Sequence, residues 1–454
     1  MTRRNTATDL PIAIVGGGFS GTLLAINLLR YGEKVMLIER SSAQLAKGVA
    51  FGTRRPEHLL NVRASNMSAF PDDAGHFLRW MDFSDHDEAN RFVPRLTYGV
   101  YLRDALVEAL AKAGTNAQIV NGEALSVDFA DDAARVHLAD GDVLECRSVV
   151  LALGNFPPVP HPVLQSLPTA LYRPDPWEAA AVEGLAGLDH VLVVGSGLTA
   201  ADVVLSLESS GFTGKLTVLS RRGLKPLSHA ESGPAVTPVP DPDKRGSQLV
   251  REVRRRAGEV GWRAAVDAMR PHTQNIWRRH SVSAQASFLR HLRPYWDIHR
   301  HRLAPSVAQR LEDLEASGRL RYVAGKLGRA EALGGRALVS YRPRGEEGIE
   351  LLEVDRVYNC AGPDCDLGRV DLPLVRDLLD QGRIRSDVHA LGVDIDHLGR
   401  VRDRDGAVQD RLLAVGPITK GEAWEIVAVP DIRRQVWGLA RFLADEHWVG
   451  GEGL

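Results

Sequence analysis

Two glycine-rich turns, each followed by a strand with a charged end, are the chemically most informative features of this 454-residue sequence. In the first, Gly16, Gly18 and Gly21 are followed by Glu39. Glycines at this spacing let the backbone approach a pyrophosphate closely, and an acid about 20 residues further on accepts hydrogen bonds from a ribose diol. The first turn is therefore predicted to bind FAD or NAD, which lack a 2′-phosphate.

The second turn has the same spacing but a different strand end. Gly195 and Gly197 fit the glycine pattern, with alanine at its third position, and the next strand ends in Ser220, Arg221 and Arg222 instead of an acid. Guanidinium groups suit the 2′-phosphate of NADP. The two turns together predict a flavoprotein that takes electrons from NADPH. For the second turn, NADH or a repeat of the fold without a nucleotide stays open.

Apolar runs flank both turns and predict the elements that position them. Residues 12–15 and 35–38 are strand-like on either side of a helical stretch, and residues 191–194 and 216–219 repeat this arrangement. Alternating strands and helices are typical of a parallel sheet covered by helices. We therefore predict an α/β fold with two Rossmann-like dinucleotide-binding domains, the NADP domain being inserted in the FAD domain.

The domain boundaries are predicted from where these patterns change. Residues 1–170 are expected to form the first part of the FAD-binding domain and residues 178–350 the NADP-binding domain. Residues 351–454 would complete the FAD-binding domain, since its last strand and helix must come from the C-terminal part. A helical, arginine-rich insertion is expected in residues 225–320.

The composition limits the possible partners. The net charge of −2 gives no overall electrostatic reason to expect nucleic acid or membrane binding. The sequence has neither an apolar run of about 18 residues nor a signal peptide, so a cytoplasmic protein is expected. Three cysteines without a CxxC pair fit a reducing compartment. The histidine spacing matches no zinc pattern, and no metal is predicted.

The arginine-rich insertion contains two blocks of different character. Residues 251–256 are predicted to form a solvated helix face. In residues 290–302 aromatic side chains alternate with the cations, which indicates a partly buried basic wall or a structural cap on the sheet. Arg293, His299 and Arg302 are candidates for binding the carboxylate of an anionic small-molecule substrate, because guanidinium groups bind carboxylates at two points.

Several longer tracts carry a family resemblance that spans nearly the whole chain. They resemble the FAD/NAD(P)-binding proteins related to single-component flavin-dependent N-monooxygenases. The tracts are GVAFG (48–52), HLLNV (58–62), MSAFPD (67–72), FLRW (77–80), WDIHRHR (296–302) and WEIVAVPDIR (424–433).

The resemblance implies a chemistry. FAD would be reduced by NADPH and would react with molecular oxygen to a C4a-hydroperoxide, which oxygenates the nitrogen of a small amine or amino acid. The histidine-containing linker typical of Baeyer–Villiger enzymes is absent from residues 172–177, which disfavours ketone oxygenation. An NADPH-dependent flavoprotein reductase or dehydrogenase without oxygen insertion stays open, as does a nucleotide-sensing module.

The resemblance also implies site residues. It places the loop of residues 61–68 beside the isoalloxazine, which makes Asn66 a candidate catalytic contact to flavin or substrate, with a turn-forming role as the alternative. Trp424 is expected to pack against the flavin ring, with core packing as the alternative. The remaining predicted cofactor-binding residues are Phe19, Ser20, Arg40, Asn61, Met67, Gly154, Leu198, Thr199, Gly362 and Gly416.

Overall fold

The computed structural model describes residues 9–130, 132–231 and 239–446. It divides into two compact units. The first unit contains the described residues up to Arg54, Val62–Phe156 and the described residues from Cys365 onward. The second unit contains Arg55–Asn61 and the described residues of Pro157–Asp364.

Helices and strands alternate through most of both units. The helices are α1 (Phe19–Arg30), α2 (Gly48–Phe51), α3 (His76–Trp80), α4 (His86–Ala89), α5 (Arg95–Ala113), α6 (Leu198–Ser209), α7 (Gly246–Val260), α8 (Trp262–Met269), α9 (Thr273–Arg279), α10 (Val282–His291), α11 (Arg293–Arg300), α12 (Pro305–Ala316), α13 (Pro373–Asp380) and α14 (Val429–Leu443). The strands are β1 (Ile12–Val15), β2 (Val35–Glu39), β3 (Ala117–Asn121), β4 (Ala124–Phe129), β5 (Ala134–Leu138), β6 (Val143–Cys146), β7 (Ser148–Leu151), β8 (Tyr172–Arg173), β9 (His190–Val194), β10 (Lys215–Ser220), β11 (Leu320–Leu333), β12 (Arg336–Pro343), β13 (Glu350–Val354), β14 (Arg356–Asn359), β15 (Arg400–Arg402) and β16 (Val408–Ala414).

The first unit is built on a six-stranded sheet with the order β15-β16-β7-β1-β2-β3, in which only the edge strand β15 is antiparallel. Strands β1, β2 and β7 are buried along their whole length, as expected for parallel strands covered on both faces. Leu151 pairs with both Val15 and Ala414, so β1, β7 and β16 end at one edge. The chain leaves β1 toward β2 and later returns beside it as β7, and ligands of such sheets bind at this switch point.

The second unit has its own sheet, with the order β13-β12-β11-β10-β9-β14-β8. The strands from β11 to β8 are parallel, and β12 and β13 extend the sheet as antiparallel strands. Val194 pairs with both Leu219 and Asn359, so β9, β10 and β14 end together. The second glycine turn follows β9 and therefore lies at this edge.

Two strands belong to a different unit from the one predicted. The sequence placed residues 351–454 in the FAD-binding domain, but β13 pairs with β12 in the second sheet, and Arg356–Asn359 pairs with Val191–Val194 there as strand β14. A buried strand followed by small residues fits the edge of either sheet. Only long-range backbone hydrogen bonding distinguishes them, and the sequence pattern does not contain it.

The predicted helical insertion is present as α7 to α12. Helix α8 contributes buried apolar residues such as Ala265 and Met269, whereas none of the residues of α7 is buried. Arg251 and Arg254 are exposed on α7, in agreement with a solvated helix face. Within the described ranges, no helix has both the length and the apolar character needed to cross a membrane.

A partly buried carboxylate connects strands of the second sheet. Asp355 accepts hydrogen bonds from the backbone amides of Asp189 and His190, both at 2.7 Å, and from Nε of Arg336 at 2.7 Å. Burial by itself would raise the pKa of Asp355. The two amides and the guanidinium outweigh that effect, and they hold the pKa below its ordinary value.

We expect Asp355→Asn to lower the free energy of unfolding at pH 7 by about 1–3 kcal/mol, because hydrogen bonds to an ionised acceptor are weakened. A carboxyl group with a lowered pKa in the folded state stabilises the protein above its unfolded pKa of about 3.9, and this contribution is lost as the pH falls through the folded value. Thermal unfolding of both proteins should therefore differ clearly at pH 7, and the difference should shrink as the pH falls below about 4 toward the lowered folded pKa of Asp355. The exposed Asp371→Asn is the control, and a constant difference across this range would contradict the prediction.

Candidate functional site

The first glycine turn is sterically closed to side chains. Gly16 has φ of 105°, and an added Cβ would lie 2.5 Å from the carbonyl oxygen of Ala152. A Cβ on Gly21 would overlap the carbonyl oxygen of Gly16. Helix α1 begins after Gly18, which has no side chain to cap it. The first amides of α1 are therefore arranged to receive an anion such as a pyrophosphate.

Glu39 lies directly against this turn. Its Oε2 accepts a hydrogen bond from the amide of Gly17 at 2.8 Å, and its Oε1 accepts one from the amide of Ser41 at 2.9 Å. The carboxylate thus lies at the end of β2, where a ribose diol would approach. Arg40 instead is exposed and forms an ion pair with Glu123 at 3.2 Å.

The residues that follow the turn are buried. Phe19 packs against Phe51 and Tyr98, with ring centroids at 5.3 and 6.2 Å. Ser20 faces Gly416, and a Cβ on Gly416 would overlap the hydroxyl of Ser20. The segments that follow β1 and β16 thus meet at the start of α1.

Sequence reasoning missed a segment that lies against the same turn. The amide of Ala46 donates to the carbonyl of Gly17 at 2.8 Å, and Ala46 has φ of 67°. Gly48 faces Gly18, and a Cβ on Gly18 would lie 3.4 Å from the Cα of Gly48. Gly48 is the first residue of the GVAFG tract, so this glycine is the feature of the sequence that could have indicated the contact.

The loop predicted to face the flavin is divided between the units. Asn66 is exposed and Met67 is buried, and both belong to the first unit. Asn61 belongs to the second unit, where its carbonyl accepts a hydrogen bond from Nε2 of His229 at 3.1 Å. Trp424 is buried in the first unit, so its prediction as a flavin contact and the alternative of core packing both stay open.

Glycine is favoured for different structural reasons at the other predicted strand ends, Gly154, Gly362 and Gly416. Gly154 and Gly362 have φ of 69° and 97°, and a Cβ on either would meet no atom within 4 Å. Backbone conformation rather than close packing therefore favours glycine there. Gly416 also donates its amide to Oε1 of Gln435 at 2.7 Å, a contact for which the sequence contains no signal.

The second glycine turn repeats the geometry of the first. Gly195 has φ of 107°, and a Cβ there would overlap the carbonyl oxygen of Cys360. Gly197 precedes α6 and offers no side chain as a cap. Leu198 and Thr199 form the start of α6 and are half-buried. The amides of this helix start are again arranged to receive an anion.

The two arginines after β10 occupy different surroundings. Arg221 is exposed, and the structure shows no ion pair or hydrogen bond of its side chain with the described residues. Arg222 donates from Nη2 to the carbonyl of Arg290 at 3.0 Å, and its guanidinium carbon lies 5.5 Å from the ring centroid of Tyr295. Arg222 is thus held by α10 and α11, while Arg221 is accessible to a ligand.

Arg302 was predicted to bind a substrate carboxylate, but the structure gives it an internal role. It is 2% exposed, forms an ion pair with Asp267 and donates from Nε to the carbonyl of His299 at 2.8 Å. Its guanidinium carbon lies 5.5 Å from the ring centroid of Trp262. Burial lowers the pKa of Arg302, and the Asp267 carboxylate counteracts part of this. Arg302 therefore connects the segment after α11 to α8 through Asp267.

The other two predicted substrate residues remain on the surface of α11. Arg293 is partly exposed and lies 3.4 Å from the carboxylate of Asp297. His299 donates from Nδ1 to the carbonyl of Tyr295 at 2.7 Å. Both side chains remain partly exposed to solvent, and both residues stay candidates for contact with a ligand.

Two of the three cysteines, Cys146 and Cys360, are poor candidates for thiol chemistry. Cys146 is buried, and burial raises its pKa to about 12. Burial likewise raises the pKa of the Cys360 thiol far above its ordinary value. Reactive cysteines require an accessible thiolate, and these two thiols stay protonated at neutral pH.

Two family models match the chain. The model of FAD-NAD(P)-binding proteins matches residues 13–156, and the model of L-lysine 6-monooxygenase/L-ornithine 5-monooxygenase matches residues 87–273. They confirm the predicted resemblance, FAD and NAD(P) as cofactors, and the class of flavin-dependent NADPH monooxygenases. No curated protein sequence matches the chain.

Solved structures share the fold over almost the whole chain. The FAD-bound cadaverine monooxygenase of Erwinia amylovora has a TM-score of 0.68 and 14% identity, with 95% of this chain and 94% of that chain covered. The ornithine N-hydroxylase of Kutzneria sp. 744 has a TM-score of 0.66 and 16% identity, with coverage of 96% and 98%. The bacillithiol disulfide reductase of Staphylococcus aureus has a TM-score of 0.57 and 14% identity, with coverage of 97% and 99%. These likenesses confirm the predicted α/β fold class.

Proposed function

Because the chain is related to the FAD-NAD(P)-binding proteins and to the L-lysine 6-monooxygenase/L-ornithine 5-monooxygenase family, we propose that it oxygenates the nitrogen of a small amine or amino acid, using FAD, NADPH and molecular oxygen. One observation carries the proposal. A single chain combines two closed glycine turns, the first with a carboxylate at its neighbouring strand end and the second with the exposed guanidinium of Arg221.

The first unit has a suitable cradle for FAD. The amides at the start of α1 would bind the pyrophosphate, and Glu39 would accept hydrogen bonds from the ribose diol. A side chain on Gly16 or Gly21 would fill the space that the turn needs. Bound FAD would supply the hydride acceptor and the oxygen-transferring group, so the protein needs no nucleophile of its own.

The second unit has matching features for NADPH. The start of α6 would bind the pyrophosphate, and the exposed guanidinium of Arg221 would contact the 2′-phosphate. Arg222 would form the wall beside it, since α10 and α11 hold its side chain. The proposed preference for NADPH over NADH depends on these two residues.

The substrate is proposed from the chemistry of the related enzymes. A primary amine attacks with its lone pair and must be neutral when it reacts, while a carboxylate or second amine can orient it. The related structures are an ornithine N-hydroxylase and a cadaverine monooxygenase. Arg293 and His299 are proposed as contacts for a carboxylate if the substrate is an amino acid.

A second candidate is an NADPH-dependent flavoprotein reductase without oxygen insertion. It is favoured by the shared fold with a bacillithiol disulfide reductase. The burial of Cys146 and Cys360 argues against a reductase that uses these thiols, so a quinone or a protein would be the acceptor.

The test is NADPH consumption by the purified, flavin-loaded protein with a panel of amino acids, monoamines and diamines. A monooxygenase should form a hydroxylamine or nitroso product in proportion to the NADPH used. Hydrogen peroxide as the only product with every amine would contradict the proposal. Rapid NADPH oxidation with a quinone under anaerobic conditions, without any N-oxygenated product in air, would favour the reductase.

A further inference from the structure

The loop that contains Asn66 is held by side chains from two distant helices of the first unit. Arg433 on α14 donates from Nη1 to the carbonyl of Asn66 at 3.2 Å and to the carbonyl of Ser68 at 2.8 Å. Tyr101 on α5 accepts a hydrogen bond from the amide of Ala69 at 3.1 Å. The backbone from residue 66 to residue 69 is therefore fixed from both sides.

Burial makes these contacts energetically important. Ser68 is fully buried, so its backbone carbonyl must accept hydrogen bonds from protein donors rather than from bulk solvent. Arg433 is half-buried, and burial lowers the pKa of its guanidinium. Its Nε is buried and has no hydrogen-bond partner among the described residues. Burying a cation costs desolvation energy that an apolar residue at this position would avoid. The hydrogen bonds of Arg433 to the two loop carbonyls offset part of this cost.

Helix α14 also contacts the edge of the sheet where the first glycine turn lies. Gln435, two residues after Arg433, accepts a hydrogen bond from the amide of Gly416 at 2.7 Å. Gly416 in turn meets Ser20 at the start of α1. One stretch of α14 thus contacts both the proposed flavin cradle and the loop of Asn66.

We propose that Arg433 is a positioning residue, which fixes the turn of residues 66–68 and holds Asn66 against the bound flavin. The inference rests on the proposed function, because the exposed side chain of Asn66 can influence a reaction only if a flavin is bound beside it. Arg433 acts through the loop backbone and has no direct contact with the reacting atoms.

Hydrogen exchange tests the contact without any turnover. Asn66, Met67 and Ala69 each donate their amide in a hydrogen bond within or to this loop. In Arg433→Met we expect the exchange of these amides to accelerate about tenfold, because two charge-assisted hydrogen bonds are lost. Both bonds leave from one nitrogen, so the ammonium of Arg433→Lys should restore most of the protection. The neighbouring, exposed Arg434→Met is the control and should match the wild type.

Kinetics tests whether the contact acts through Asn66. We expect Asn66→Ala and Arg433→Met to lower kcat for NADPH oxidation by a similar factor, about three- to tenfold, with KM for NADPH unchanged. The kcat of the double variant should be no lower than that of either single variant, since both substitutions remove the same contact of a positioned Asn66 side chain. Arg433→Lys should recover most of kcat.

Two results would overturn the inference. Unchanged exchange in Arg433→Met would show that Arg433 does not hold the loop, whatever the cofactor is. Multiplying effects on kcat in the double variant would show that Arg433 does not act through Asn66. A protein that binds no flavin, or whose flavin NADPH does not reduce, would instead overturn the proposed function, while the exchange experiment would still decide whether the loop is held.

Discussion

The Gly21→Ala protein should be purified without FAD. An added Cβ would overlap the carbonyl oxygen of Gly16, and no rotamer change relieves a clash with backbone. Separating the two segments would cost about 3 kcal/mol or more and would displace the amides that receive the pyrophosphate. We therefore expect FAD affinity to fall by at least about 100-fold, measured by the ratio of absorbance at 450 and 280 nm and by titration with FAD.

A matched control separates this clash from the general effect of alanine in a helix. Gly438 lies in α14, and a Cβ there would meet no atom within 4 Å. Gly438→Ala should keep its flavin and its thermal stability. If Gly21→Ala does not fold, Gly18→Ala tests the same turn more mildly, because its Cβ would lie 3.4 Å from Gly48. Wild-type flavin content in both turn variants would contradict a cofactor site at this turn.

Replacement of Arg221 by alanine should remove most of the preference for NADPH. Its side chain is exposed at the end of β10, so it can contact a 2′-phosphate without first breaking an internal ion pair. Charge-assisted hydrogen bonds to a phosphate contribute about 1.5–3 kcal/mol, which corresponds to a roughly 10- to 150-fold increase in KM for NADPH. The KM for NADH should stay the same, because NADH has no phosphate at that position.

Steady-state kinetics with both nucleotides provides the measurement. Arg251→Ala is the control, since Arg251 is an exposed arginine of the same unit on α7. A loss of activity that is equal with NADPH and NADH would indicate damage to the fold instead of a lost phosphate contact. An unchanged KM for NADPH would show that Arg221 does not contact the 2′-phosphate.

Several parts of the cofactor site could be predicted because their cause is local. Gly16 and Gly21 are required by the sharp path from β1 into α1, and Glu39 ends the adjacent strand. Gly195 repeats this requirement in the second unit. Short-range steric constraints of this kind appear directly as residue spacing.

Other parts of the site depended on contacts between distant segments. Arg302 and Arg221 are both arginines near aromatic or apolar neighbours in sequence, yet Arg302 is buried against Asp267 and Arg221 is exposed. The carboxylate that Arg302 contacts in the structure is therefore the internal one of Asp267. Burial of a side chain is decided by how α8 and α11 pack, which composition does not specify.

The sequence by itself determined the two glycine-rich turns, their contrasting strand ends and the α/β fold class, because each follows from backbone geometry within about forty residues. The tertiary structure alone decided that β14 joins the second sheet and that Arg433 meets Ser68 across 365 positions of the chain. Hydrogen bonds over such separations form only after the intervening chain has packed. No local pattern therefore records which partners they will join.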